Sequence, residues 1–286
     1  MNLFALTTHP ADRILRFPLS HDLQQLLTPI FRAQRDAFLQ GVAETIEFDG
    51  RYKPEKGELL AIRNYVDVNG LAAAVHSPVA VAPFDPAVHS LDAVKAIFTG
   101  CPDGSPLVLV QLFEQRRVLA AKNIAIFFSG NTFQSMSNTG LTLDNKLLAV
   151  LDGKELKFQS FHFLRRVFDL KVHFKEATAA EVKAFAAHEK FAAADQENFE
   201  EAANSTTRRK IVFILQSGVL DRHPVEHIVA IARMFKVDVQ VTTDGKIQLP
   251  THPQDLRRLL RFLDEDYYES PLSRTHYVSN SKRVAD

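Results

Sequence analysis

The sequence predicts an α+β protein, with a strand-rich N-terminal half packed together with a helix-rich C-terminal half. Three observations carry that expectation. Leu107–Phe113 and Ile124–Phe128 are continuous apolar runs, as in buried central strands. Asp152-Gly153, between Leu147–Leu151 and Glu155–Phe158, is a hairpin turn signal. Beyond residue 160 apolar residues recur at three- and four-residue spacing behind helix-capping residues. A soft boundary follows, with a strand-rich mixed region at 1–159 and a helix-rich region at 160–286, in one domain or two.

Leu3–Thr7 and Ile14–Phe17 are short candidate strands. Ser20 can cap a helix that runs to Leu39, with Leu23, Leu26, Leu27, Ile30, Phe31 and Phe38 on an apolar face and Gly41 as its stop. Thr45–Phe48 and Leu59–Tyr65 read as strands around Asp49-Gly50. Residues 70–89 hold Pro78, Pro83 and Pro86 and read as loop. Ser160 opens a helix expected over Phe161–Phe168.

In the second half, Thr178 and Glu181 form a capping box. Residues 176–204 set seven carboxylates against two lysines, as in a solvated helix face or connector. A buried helix begins near Ile211, and Pro224 suits the first position of the next. Val237, Val239 and Val241 alternate as a strand, and Asp244-Gly245 turns the chain towards Ile247 and Leu249. Thr251 and Gln254 suggest a second capping box before Leu256, Leu259, Leu260 and Leu263.

The tail after Leu263 carries Asp264, Glu265 and Asp266, three of the five tyrosines (Tyr267, Tyr268, Tyr277), and then Arg274, Lys282 and Arg283. Aromatic rings find something to pack on, so an ordered tail folded back on the body is expected.

The 286 residues have a net charge of +0 and pI near 7.2, so any nucleic-acid site must be a local patch. A single cysteine, Cys101, cannot close an internal disulfide and points to a reducing cytoplasm. No apolar run is long enough for a membrane span, and the first residues lack a signal-peptide pattern. Direct membrane insertion is therefore not expected.

Gly-x-Ser-x-Gly and Walker-type loops are absent, and Ser129-Gly130-Asn131 has too few glycines for a phosphate loop. His223 and His227 are four apart, but no Glu-x-x-His pattern completes a zinc site. No cofactor, metal or catalytic residue is assigned. One metal alternative stays open, with Asp264 and Asp266 holding a divalent ion for nuclease chemistry.

Basic clusters are the candidate phosphate contacts. They are Arg165 and Arg166; Arg208, Arg209 and Lys210; Arg257, Arg258 and Arg261; and Arg274, Lys282 and Arg283. Paired arginines offer planar donor forks, and 208–210 stand near an expected helix start behind Ser205, Thr206 and Thr207. The alternative for each cluster is ordinary pairing with the 34 acidic residues.

Three segments resemble the KwaB-like family of the Kiwa anti-phage defence system. They are Val108-Leu-Val-Gln-Leu-Phe113; Ser160-Phe161 through Arg166-Val-Phe168 to Thr178–Phe185; and Arg261–Ser273 continued by Tyr277–Arg283. The resemblance covers roughly residues 95–283, the last segment being the most specific. It implies a cytoplasmic defence effector that binds DNA, and a homo-oligomer is expected. It also implies a membrane-embedded partner, KwaA, which could recruit the protein to the inner face of the membrane. A metal-dependent nuclease and a non-catalytic assembly protein remain as rival readings.

Overall fold

The computed structural model describes residues 1–119, 126–129, 132–135, 140–170, 176–193, 199–201, 203–279 and 281–283. The fold is α+β and its N-terminal half is strand-rich. The chain divides into two compact units, residues 1–48 with 54–169, and residues 49–53 with 170–286.

The first unit is built on an eight-stranded sheet. Its strands are β1 (Leu3–Thr7), β2 (Ile14–Phe17), β3 (Glu44–Glu47), β4 (Glu58–Ile62), β5 (Val94–Gly100), β6 (Leu107–Leu112), β7 (Ala149–Asp152) and β8 (Glu155–Phe158). Their order is β2-β1-β5-β6-β7-β8-β4-β3. β1 is buried along its whole length, the mark of a strand covered on both faces. β7 and β8 form the expected hairpin, with Gly153 left-handed at φ 58. Gln111 lies buried in β6 and is fully engaged. Its amide donates to Gln34 Oε1 at 2.6 Å and to Asp144 O at 3.1 Å, and its oxygen accepts from Asp144 N.

Helix α1 (His21–Leu39) starts at Ser20, whose side chain accepts from Leu23 N. Leu27, Phe31 and Phe38 are buried, but Leu23, Leu26 and Ile30 face solvent, so the buried stripe is narrower than expected. Residues 71–76 form a short helix, α2, where a loop was expected. It approaches β5 closely: a Cβ on Gly100 would lie 2.5 Å from Val75 Cγ1. Asp49-Gly50 is not a hairpin turn, because β3 and β4 pair in parallel and parallel strands need a longer crossover. The helix expected over 161–168 is shorter, Phe161–Leu164 (α3). Of the apolar run, Ile126–Ser129 pairs with Thr132–Ser135 in a separate two-stranded sheet, and among the described residues it has no pairing to the large sheet. Ile124, Ala125, Gly130 and Asn131 lie outside the described residues.

In the second unit, helix α4 (Ala179–Ala186) has the capping box between Thr178 and Glu181. Helix α5 (Ser205–Ser217) begins six residues before Ile211, with Asn204 accepting from Thr207 N. Arg208 therefore closes its first turn, and Arg209 and Lys210 lie past it. Helix α6 (Val219–Arg222) is short, and helix α7 (Val225–Met234) follows Pro224, which is its cap. Val237–Val241 is not a strand. It makes one bridge, Val241 to Ile247, while Ile247–Leu249 pairs in parallel with Phe191–Ala193. Helix α8 (Pro253–Leu263) buries Leu256, Leu259, Leu260 and Leu263 on one stripe, each contributing about 1.5–3 kcal/mol. The second capping box does not form. The cap is His252, without a side-chain bond, because proline takes the first helical position.

The tail forms a hairpin, Tyr267–Glu269 with His276–Val278. Tyr267 packs against Phe235 and Phe262. Tyr268 and Tyr277 do not reach the core as expected. They stack on each other at 5.5 Å and stay about half exposed.

Candidate functional site

The second unit holds a groove of about 480 Å³ lined along the length of α5 and α8. Helical spacing explains which side chains reach it. Gln254, Arg257 and Arg261 are three and four residues apart on α8, and Leu256 and Leu260 of its buried stripe line the groove beside them. Thr206, Lys210 and Phe213 stand in the same relation on α5. Residues 50 and 51 and Lys282 complete the wall.

Two buried carboxylates mark the inner end. Glu265 adopts a left-handed conformation, φ 56, directly after α8. This turn puts both neighbours inward. Asp264 is 3% exposed and Asp266 is 5%, while Glu265 faces solvent. Both then share one ammonium: Lys210 Nζ donates to Asp264 Oδ2 at 2.5 Å and to Asp266 Oδ2 at 2.7 Å. Lys282 Nζ donates to Asp266 Oδ1 at 3.1 Å and to Asp264 O. Arg261 Nε reaches Asp266 at 3.3 Å, and Arg51 reaches Asp264 at 3.3 Å. Buried carboxylates need such partners, since a lone buried charge is very costly. The requirement is more than met, with four cations on two anions.

Arg209 and Arg257 also line the groove. Six cations against two carboxylates leave four surplus positive charges in the lining of one concave wall, although the whole chain is neutral. Among the described residues Arg257 is exposed and has no ion-pair partner. Arg51 lies 4.5 Å over the Phe213 ring and donates to Phe213 O, and its Nε has no hydrogen-bond partner among the described residues.

The structure separates the sequence candidates. Arg209, Lys210, Arg257, Arg261 and Lys282 come together at the groove. Arg208 turns away, donating to the carbonyls of Ala203, Ala177 and Glu200 as a backbone clamp. Arg258 shares α8 but does not line the groove. Arg274 pairs with Glu269 on the hairpin, and Arg283 lies over the Tyr52 ring at 5.3 Å. Arg165 and Arg166 belong to the first unit, where Arg166 binds Glu114 at 3.0 Å and holds its carboxyl below the usual range. Sequence reading missed Arg51, because nothing local says that residues 49–53 belong with the second unit. A signal for Phe213 was present in its four-residue spacing from Arg209.

Asp264 and Asp266, the alternative metal pair, direct their oxygens at cationic side chains. A divalent ion there would have to displace those partners. Among the described residues no group of three or more His, Cys, Asp or Glu is placed to hold a metal. His223 and His227 stack ring on ring at 5.2 Å.

The family model described as Kiwa protein KwaB-like matches residues 110–273. The match spans more than half the chain, from β6 through α8 into the tail hairpin. The chain belongs to the KwaB-like family. As a KwaB-like protein it is a component of the Kiwa defence system. The family match contains α5, α8 and both buried aspartates, whereas Arg51 and Lys282 lie outside it. No curated protein and no solved structure matched the chain.

Proposed function

We propose that this KwaB-like protein is an anti-phage effector that binds DNA through phosphate contacts in the groove between α5 and α8 and works with a membrane-embedded partner of the KwaA type. The observation that carries the reading is the surplus of four positive charges in a concave wall. Phosphates supply the matching negative charge, and arginine and lysine are the side chains that bind them. The protein acts in the cytoplasm as a homo-oligomer, and its partner recruits it to the membrane. Among the described residues no helix is long and apolar enough to cross a membrane.

Fluorescence anisotropy with labelled DNA at several salt concentrations tests this. If all four surplus charges meet phosphates, log K falls against log salt with a slope of about −3.6, at roughly 0.9 per phosphate. Affinity changes little with base sequence, because backbone contacts carry no base information. Absence of binding at low salt would overturn the reading. The nuclease alternative has no comparable support, since both of its aspartates are committed to cations.

A further inference from the structure

We infer that the groove is shaped for a multiply charged terminal phosphate on a nucleotide, carried by a nucleoside di- or triphosphate or by a phosphorylated strand end, in preference to the bridging phosphates of a DNA backbone. The inference rests on the reading of the groove as a phosphate site and narrows its ligand.

Size comes first. A volume of about 480 Å³ lies within the roughly 300–1,000 Å³ typical of small-molecule sites. The residues from Gln254 to Asp264 that line it span about 15 Å of helix at 1.5 Å per residue. That is longer than one phosphate needs and suits a nucleotide lying along the groove.

Depth and charge density come second. Lys210, Arg261 and Lys282 keep only 22%, 22% and 26% of their side-chain surface exposed, and together with Arg51 they already hold the two charges of Asp264 and Asp266, so the excess at this end is two positive charges. A bridging phosphate has chain on both sides and must meet the wall from the flank. A terminal phosphate can enter end-on. It also carries about −1.5 to −2 at pH 7, where a bridging phosphodiester carries one charge. Partly dehydrated cations favour the denser charge more strongly than exposed ones do.

The outer end supplies the third observation. Thr206, Thr207 and Gln254 come from the first turns of α5 and α8, helices of 13 and 11 residues, and all three line the same groove as the cations. The α8 cap, His252, makes no side-chain hydrogen bond to the first turn. Donors at both ends, with Arg257 between them, fit a chain of phosphates better than a single one.

The test uses the full-length protein with a labelled 20-nucleotide single strand bearing either a 5′-phosphate or a 5′-hydroxyl, and ATP as competitor with AMP as its comparison. The inference expects one or both of two results. A 5′-phosphate preference of at least fivefold identifies the strand end as the source. Displacement by ATP at a concentration at least tenfold below that needed for AMP identifies free nucleotide. Arg257→Ala should reduce whichever preference is seen at least fivefold, while Arg258→Ala, with the same charge change one residue away, stays within twofold. Both side chains are exposed, so both variants should fold. Equal binding of the two strands with no ATP advantage, but weaker DNA binding by Arg257→Ala, overturns this inference and leaves the groove as a DNA site. DNA and ATP binding both unaffected by Arg257→Ala overturns both.

Discussion

Residues 264–266 and 269–276 sit a few positions apart in one tail and use the same chemistry, carboxylate against cation. In the first stretch, Asp264 and Asp266 are buried and held by Arg51, Lys210, Arg261 and Lys282. In the second, Glu269 meets Arg274 at 2.8 Å and His276 at 3.4 Å on a hairpin whose outer side chains are open to water. The difference lies in the surroundings rather than in the residue types. Water substitutes for a lost partner on the hairpin and cannot do so beside α5. Breaking a buried pair strands a charge, whereas breaking an exposed pair returns two groups to solvent.

Four measurements break or sharpen that contrast. The largest effect belongs to Lys210→Ala, which takes away the ammonium shared by both buried aspartates. Urea unfolding at neutral pH should show a loss of about 3 kcal/mol, the low end for an uncompensated buried pair because three cations remain. A loss under about 0.5 kcal/mol would mean that the carboxylates are effectively solvated. Arg208→Ala comes next. Three backbone carbonyls lose a charged donor, and a loss of about 2 kcal/mol is expected. DNA affinity should stay unchanged, since Arg208 does not line the groove. Weaker DNA binding in a folded Arg208→Ala protein would reassign that residue to the site.

The third is a stabilisation. Glu265 is left-handed and exposed, and its side chain is not what places its neighbours. Glycine adopts this conformation without the Cβ penalty, so Glu265→Gly should raise stability by about 1 kcal/mol. A loss instead would show that the Glu265 side chain supports the cluster. The smallest effect is on the hairpin. Arg274→Ala should leave the unfolding midpoint unchanged within error. The same pair also has a pH signature. The hydrogen bond from Arg274 holds the Glu269 carboxyl below its usual range. Its contribution is therefore present above the ordinary glutamate range and is lost as pH falls through the lowered value. NMR titration of Glu269 should show that depressed midpoint in the parent and its return towards the ordinary value in Arg274→Ala. An unchanged midpoint in the variant would remove Arg274 as its cause.

Local signals set much of the secondary structure. Ser20, the Thr178–Glu181 box and Asp152-Gly153 act within a few residues, and each does what its chemistry dictates. The leucine stripe of α8 was equally legible, because one apolar face repeats at helical spacing. Pairing was not legible. Val237–Val241 has a strand pattern, yet Ile247–Leu249 pairs with Phe191–Ala193 instead. Propensity says that a segment can be extended, and only the surrounding packing chooses its partner.

The site divides in the same way. By itself the sequence determined the family, the α+β class and the supply of cations from which a phosphate site could be drawn. It placed Lys210, Arg257, Arg261 and Lys282 among the candidates together with residues that have other work. Only tertiary structure decided which of them face one groove, because that depends on how α5 and α8 pack, on residues 49–53 joining the second unit, and on the turn at Glu265. Charge is written along the chain, but the field it makes depends on which charges lie within a few ångströms of each other and how much water lies between them.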